Sequence, residues 1–225
     1  MPERPVAIEE DRAAAIFRTA AEIFQRKGYH ATAMGEIADA VDLTKAGLYY
    51  YVKGKEDLLF AIMSFAMDRL EGWVEVARSQ ASPEQRLRSI IGSHALGITL
   101  DGNAITLLVD ETEALEPERR ERIRRRQRAY YEFIRDNVAE LGAAGRSDLD
   151  PRVGAFGILG LLMWLARWYR RDGQLQGEDV ARQIATMALE GILTRKEIAA
   201  GMGGAGDLST KPGADSHPAR REDSR

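Results

Sequence analysis

The sequence predicts an all-α protein of about nine helices, and three observations carry that prediction. Apolar residues recur at helical spacing in segment after segment. No segment reads as a convincing strand. The breaks fall at capping, proline and turn signals: Ser82-Pro83, Asp101-Gly102-Asn103, Pro117 and the polar stretch Gly142 to Pro151.

The first helix is expected over about residues 9–27, with Ile16, Ala20, Ile23 and Phe24 on one face. A second follows with Met34, Ile37, Ala38 and Val41 at i, i+3, i+4 and i+7, capped by Thr32. Asp42 makes the turn, because it tolerates left-handed backbone better than most residues. Thr44 caps the third helix, and Leu43 and Leu48 flank that cap as a hydrophobic staple. The fourth helix opens at Lys55 with Glu56 and Asp57 in its first turn and runs to about Arg78. The fifth runs from Ser82-Pro83 to about Thr99 and the sixth over about 104–115. The seventh starts at Pro117 and ends near Leu141, and the last two cover about 152–171 and 178–195. From Ala200 onward Gly, Pro, Ser and charge dominate, so residues 200–225 are expected to be a disordered tail.

A helix pair with a short turn is the helix-turn-helix unit, whose second helix enters the major groove of DNA. The chemistry of residues 43–55 suits that use: three lysines and no acidic residue. Lys45 occupies the first turn of the reading helix, where side chains meet base edges. Tyr49, Tyr50 and Tyr51 offer hydroxyls to phosphates and rings to sugars. Lys55, with free amides at the start of the fourth helix, makes a second phosphate grip. The expected DNA-binding set is Thr32, Thr44, Lys45, Tyr49, Tyr50, Tyr51 and Lys55.

The order of residues here resembles the N-terminal domain of TetR-family transcriptional regulators. The chain has Phe24, Gly28 and Tyr29, then Thr32, Ile37-Ala38, Leu48-Tyr49-Tyr50-Tyr51, Lys55-Glu56 and Leu58-Leu59, spread over residues 9–60. It departs from the pattern at Asp42, where the family has glycine, at Ala46-Gly47, where it has Gly-Thr, and at Val52, where it has an aromatic. The resemblance implies a DNA-binding domain over 1–54 and a ligand-binding and dimerisation domain over 55–199. It also implies a bacterial, cytoplasmic protein associated with the nucleoid when bound.

Composition excludes several alternatives. With no cysteine among 225 residues there is no disulfide, thiolate metal site or cysteine nucleophile. Three histidines and no glycine-rich phosphate loop or paired catalytic motif argue against an enzyme. No cofactor or metal is expected. Glu9, Glu10 and Asp11 interrupt any leader-like apolar run, and the longest uncharged apolar stretch, 153–166, is too short to span a membrane. The formal net charge is −3, so DNA affinity must come from local placement and from two reading heads acting together.

The last two helices are expected to pair two copies of the chain. Gly154, Gly157, Gly160 and Leu161 lie on a helix that is apolar nearly all round. Val180, Ile184, Met187 and Gly191 form a stripe on the final helix. Two helices from each subunit would make a four-helix bundle, and two reading heads would meet a palindromic double-stranded operator.

Candidate residues for a small-molecule pocket are His94, Leu107, Asp110, Glu111, Tyr130, Phe133, Met163, Trp164, Arg167 and Trp168. Ordinary core packing is the competing reading for each aromatic, and for His94. A buried Asp110 or Glu111 would need a partner such as Arg167. Residues 119–128 hold seven arginines. Glu116 to Arg120, Glu118 to Arg122 and Glu121 to Arg125 are i,i+4 pairs, the signature of a solvated salt-bridged helix. Capture of a ligand phosphate is the alternative. The stretch Arg167-Trp168-Tyr169-Arg170, with Asp172-Gly173 and Leu175, is similar to the TetR-type repressors of steroid and fatty-acid catabolism. So is Asp110-Glu111 followed by the arginine-rich helix. This resemblance implies an acyl-CoA thioester as effector. The expected function is a homodimeric, ligand-responsive repressor; a ligand-independent architectural DNA binder or an activator is the alternative.

Overall fold

A computed structural model describes residues 6–193. The tail expected over 200–225 lies outside the described residues. Within them all regular structure is helical: α1 (Val6–Lys27), α2 (Met34–Ala40), α3 (Lys45–Tyr51), α4 (Lys55–Arg78), α5 (Pro83–Asp101), α6 (Asn103–Asp110), α7 (Pro117–Ala143), α8 (Pro151–Trp168) and α9 (Gly177–Ile192). A single 3-10 turn, Thr112–Ala114, follows α6. No described helix is long and apolar enough to cross a membrane.

The local signals explain most boundaries. Ser82 caps α5 by accepting the Gln85 amide, and Asp150 caps α8 by accepting the Arg152 amide. Proline stands in the first turn of α5, α7 and α8, where its missing N–H costs nothing. Two ends differ from the sequence expectation. α6 stops at Asp110 and tightens into the 3-10 turn, with the Thr112 hydroxyl donating to the Leu108 carbonyl at 2.5 Å. α8 stops at Trp168 because Tyr169 is extended and its hydroxyl reaches the Leu175 carbonyl.

The buried apolar residues form one continuous core. α1, α2, α3 and the start of α4 enclose Phe24, Tyr29, Ile37, Ala38, Leu48, Val52, Leu58 and Leu59, all buried. Phe24 and Tyr29 meet edge to face at 5.2 Å. Gly28 ends α1 at φ +89, a left-handed position that a side chain would strain. Beyond this unit, α4 runs on to pack against α5, α6 and α7, α5 lies along α9, and α7 lies along α8. α4 thus runs from the N-terminal helices into the rest of the core.

The three α8 glycines do different work. A Cβ at Gly154 would sit 2.9 Å from the Val138 side chain of α7, so Gly154 serves packing within the chain. Gly157 and Gly160 face open space. On the same side, Val153, Phe156, Trp164 and Trp168 are exposed. The stripe expected on α9 is split. Val180 and Ile184 are buried, while Met187 and Gly191 point outward.

Candidate functional site

The α2–turn–α3 unit forms as its residues dictate. Asp42 takes φ +53, the left-handed turn residue. The Thr44 side chain accepts the Gly47 amide at 3.0 Å and caps α3. Leu48 is fully buried, and Leu43 packs on the core beside it. With Leu48 locked inward, the opposite side of α3 is offered to solvent. Tyr49 is 49% exposed and Tyr50 75%. Lys45 is exposed too, and its stem lies across Gly35 of α2, where a Cβ would come within 2.7 Å of Lys45 Cε. Tyr51 turns inward, packs on the core and meets Tyr50 edge to face at 5.3 Å. It buttresses the outward ring rather than reaching out itself.

Thr32 and Lys55 take roles other than the expected ones. Thr32 is buried, and its hydroxyl donates to the Gly28 carbonyl at 2.8 Å. The N-cap of α2 is Ala33 instead, whose amide donates to the Glu36 carboxylate at 3.0 Å. Glu36 also pairs with Lys27 of α1; the Ala33 amide first, then Lys27, holds its carboxyl below the usual range. The Lys55 ammonium donates to three carbonyls, those of Tyr29, His30 and Thr32, at 3.0 to 3.1 Å. It also lies 4.7 Å from the Tyr29 ring centre. All three of its N–H donors are therefore engaged inside the protein, and it fastens the α1–α2 loop to α4 instead of gripping phosphate.

The first turn of α4 is fastened from the other side as well. Arg119 of α7 donates to Glu56 at 2.6 Å and to Asp57 at 2.7 Å, over the Phe60 ring. The Glu116 amide also reaches Glu56. The second oxygen of Asp57 accepts the Lys53 amide, just past the end of α3. That amide first, then Arg119, keeps the Asp57 carboxyl below its ordinary range. About two turns further along α7, Arg126 forks between Asp68 and Glu71 of α4 and reaches the Ser64 carbonyl. Arg120 and Arg124 share Glu113. Among the described residues none of the three expected i,i+4 pairs on α7 forms. Of the arginines at 119–128, those that pair do so with α4 and the 3-10 turn. Sequence reasoning missed Arg119 and Arg126 as a clasp, because one chain alone cannot say which of many carboxylates each arginine meets.

The expected ligand residues do not gather into one open pocket. His94 and Tyr130 do meet, with Nδ1 2.8 Å from the hydroxyl, both buried. Trp73 lies beside His94 at 5.9 Å, its ring seated on Gly97. Burial holds His94 neutral, its pKa pushed down to about 3, and Nε2 has no hydrogen-bond partner. Leu107 is buried and Glu111 half-buried. Asp110 is at the surface, where Arg167 holds it through two bonds of 2.7 and 2.9 Å. Phe133 lies under Arg78 and borders a cleft of about 490 Å³ with Arg86, Asn137 and Glu140. Met163 packs half-buried on the core, whereas Trp164 is 66% exposed and Trp168 42%. The tryptophans belong to the outward face of α8, not to the interior around His94.

Comparison with known proteins fits this geometry. Residues 16–62 match the model of bacterial regulatory proteins, tetR family, and residues 80–192 that of the tetracyclin repressor-like C-terminal domain. The HTH-type transcriptional repressor KstR2 of Rhodococcus jostii (strain RHA1) is 28% identical, over 77% of this chain and 87% of its own. The HTH-type transcriptional activator FasR of Mycolicibacterium smegmatis (strain ATCC 700084 / mc(2)155) is 24% identical, over 81% and 84%. The crystal structure of AibR in complex with isovaleryl coenzyme A and operator DNA superposes with a TM-score of 0.69 at 37% identity, over 78% of this chain and 97% of that one. Two domain models in the expected order, and a relative above 30% identity along nearly its whole length, place the chain in the TetR family of transcriptional regulators.

Proposed function

We propose that the chain is a homodimeric repressor that leaves its operator when a small molecule binds. The observation that carries the DNA-binding part is the outward side of α3. Lys45, Tyr49 and Tyr50 stand exposed on a helix whose Leu48 and Thr44 fix its orientation. Lys45 would meet base edges, the two tyrosines would meet phosphate and sugar, and Thr44 would keep its hydroxyl proton for a phosphate oxygen. Residues 1–54 would read DNA, and residues 55–199 would sense and dimerise. The exposed stripe of Val153, Phe156, Gly157, Gly160 and Trp164, with Met187 on α9, suits helix packing against a second copy.

The effector reading rests on His94. A buried ring nitrogen without a partner is costly, and a ligand oxygen would satisfy it. With Tyr130 donating to Nδ1, Nε2 carries the proton and would donate to a thioester carbonyl. AibR, whose solved complex holds isovaleryl coenzyme A, supports an acyl-CoA thioester as the class to try first. The cytoplasm, where operator and thioester would both be met, is the corresponding compartment.

Fluorescence anisotropy on the DNA upstream of its own gene tests the reading. Binding well above that to random DNA, reversed by isovaleryl-CoA or a longer acyl-CoA, is expected. Equal binding to random DNA with no response to any thioester would favour an architectural DNA binder instead. Raised transcription from the bound site, read with a reporter, would favour an activator.

A further inference from the structure

A groove of about 680 Å³ lies between α1, α4, the end of α5 and the loop after α8. Ala15, Arg18, Thr19 and Glu22 of α1 line one side, Phe65 and Arg69 of α4 the floor, and Leu100, Asp101 and Arg171 the other side. It shares Asp101 and Arg171 with a smaller cleft of about 130 Å³ that presents Gln25, Asn103 and Thr106.

The three guanidiniums are not equally occupied. Arg69 is held by Asp101 at 3.6 Å and by the Trp73 ring. Arg171, which lines the groove, gives only Nε, to the Thr99 carbonyl at 3.2 Å, and its terminal N–H groups have no partner among the described residues. Arg18 has no hydrogen-bond or ion-pair partner among the described residues. Two cations from separate elements thus converge with spare donors, and Glu22 is the one carboxylate facing them that Arg69 does not neutralise. Phe65 and the half-exposed Leu100 add an apolar surface beside them.

We propose that this groove binds an organic phosphate, its phosphates on Arg18 and Arg171 and its apolar or aromatic part on Phe65 and Leu100. Guanidinium forks match phosphate oxygens in pairs, and a flat group beside them completes the recognition of a nucleotide-like anion. The site is separate from His94 and does not depend on the effector reading above. Its two cations stand on α1, which packs against α2 of the helix-turn-helix unit, and on the loop after α8, so an occupant would tie those parts together.

Titration calorimetry with ADP and with pyrophosphate on the full-length protein tests this. ADP is expected to bind one site per chain, more tightly than pyrophosphate. The double variant Arg18→Ala/Arg171→Ala should weaken ADP by roughly 10- to 100-fold, the loss typical of charge-assisted hydrogen bonds. Glu22→Gln should tighten it. All three residues are exposed, so the variants should keep the wild-type helical circular dichroism spectrum, which separates loss of binding from loss of fold. No ADP binding, binding unchanged in the double variant, or equal affinity for pyrophosphate would each overturn the proposal.

Discussion

Arg119 of α7 holds Asp57 of α4 at 2.7 Å, while the other oxygen of that carboxylate accepts the Lys53 amide at the exit of the reading helix. One carboxylate therefore joins α7 to the residues that follow α3. Arg119→Ala should lower stability by about 1–2 kcal/mol, since the pair is about a third exposed and partly screened. That corresponds to a melting-point fall of roughly 3–6 °C. DNA affinity should fall as well, and Arg119→Lys, which cannot fork to both carboxylates, should restore little of it. Differential scanning fluorimetry and anisotropy on the same samples read both effects.

Lys55 and Lys45 should separate cleanly. Lys55→Ala removes the cation bonded to three carbonyls, so stability should fall by about 2–3 kcal/mol. The slope of log affinity against log salt should stay as it is. Lys45→Ala should leave the melting curve alone and reduce that slope by about 1 if it meets a phosphate, or change base preference if it meets a base. A lowered salt slope in Lys55→Ala would return that residue to the DNA interface.

Gly97 admits the Trp73 ring, and a Cβ there would stand 2.1 Å from the ring carbon Cη2. Gly97→Ala should cost about 1–3 kcal/mol through overpacking, seen in urea unfolding. Gly35→Ala offers the contrast. The atom in its way is the mobile end of Lys45, so stability should hold while DNA affinity shifts.

His94 gives a pH signature. Its folded pKa lies near 3, below the ordinary value of about 6.5. Between those values the unfolded chain binds a proton that the folded chain refuses, so stability is full above about pH 6.5 and declines as pH falls. His94→Gln removes this contribution. Unfolding free energies measured from pH 7 to 4 should fall less steeply for the variant, by up to a few kcal/mol at the acid end. Parallel curves would mean that His94 titrates normally.

Trp164 is exposed in the single chain, so Trp164→Ser should fold normally. If it anchors the second copy, the dimer should weaken by roughly 30-fold or more. Analytical ultracentrifugation across a concentration series shows the difference.

The reader was legible in the sequence because its determinants are local. Asp42 in the turn, Thr44 at the cap and Leu48 four residues on each act within a few positions of themselves. The helical periods and prolines marked the other elements for the same reason. What stayed hidden depends on distant partners. The ammonium of Lys55 meets carbonyls 23 to 26 residues earlier, and Arg119 meets carboxylates more than 60 residues away. Side-chain direction was hidden too. Trp164 and Leu165 are neighbours in sequence, yet one is exposed and the other fully buried. The aromatics near the end of α8 read as pocket lining until the helix is set in place.

Helix α8 carries small residues for two unrelated audiences, Val138 of its own chain at position 154 and open space at 157 and 160. Enlarging Gly154 should harm each molecule alone, by an amount indifferent to dilution. Enlarging Gly157 or Gly160 should leave the isolated molecule intact and act only on pairing, so its penalty should grow as the protein is diluted and fade as it is concentrated. A dilution series thus sorts lesions on a single helix into those of folding and those of partnership.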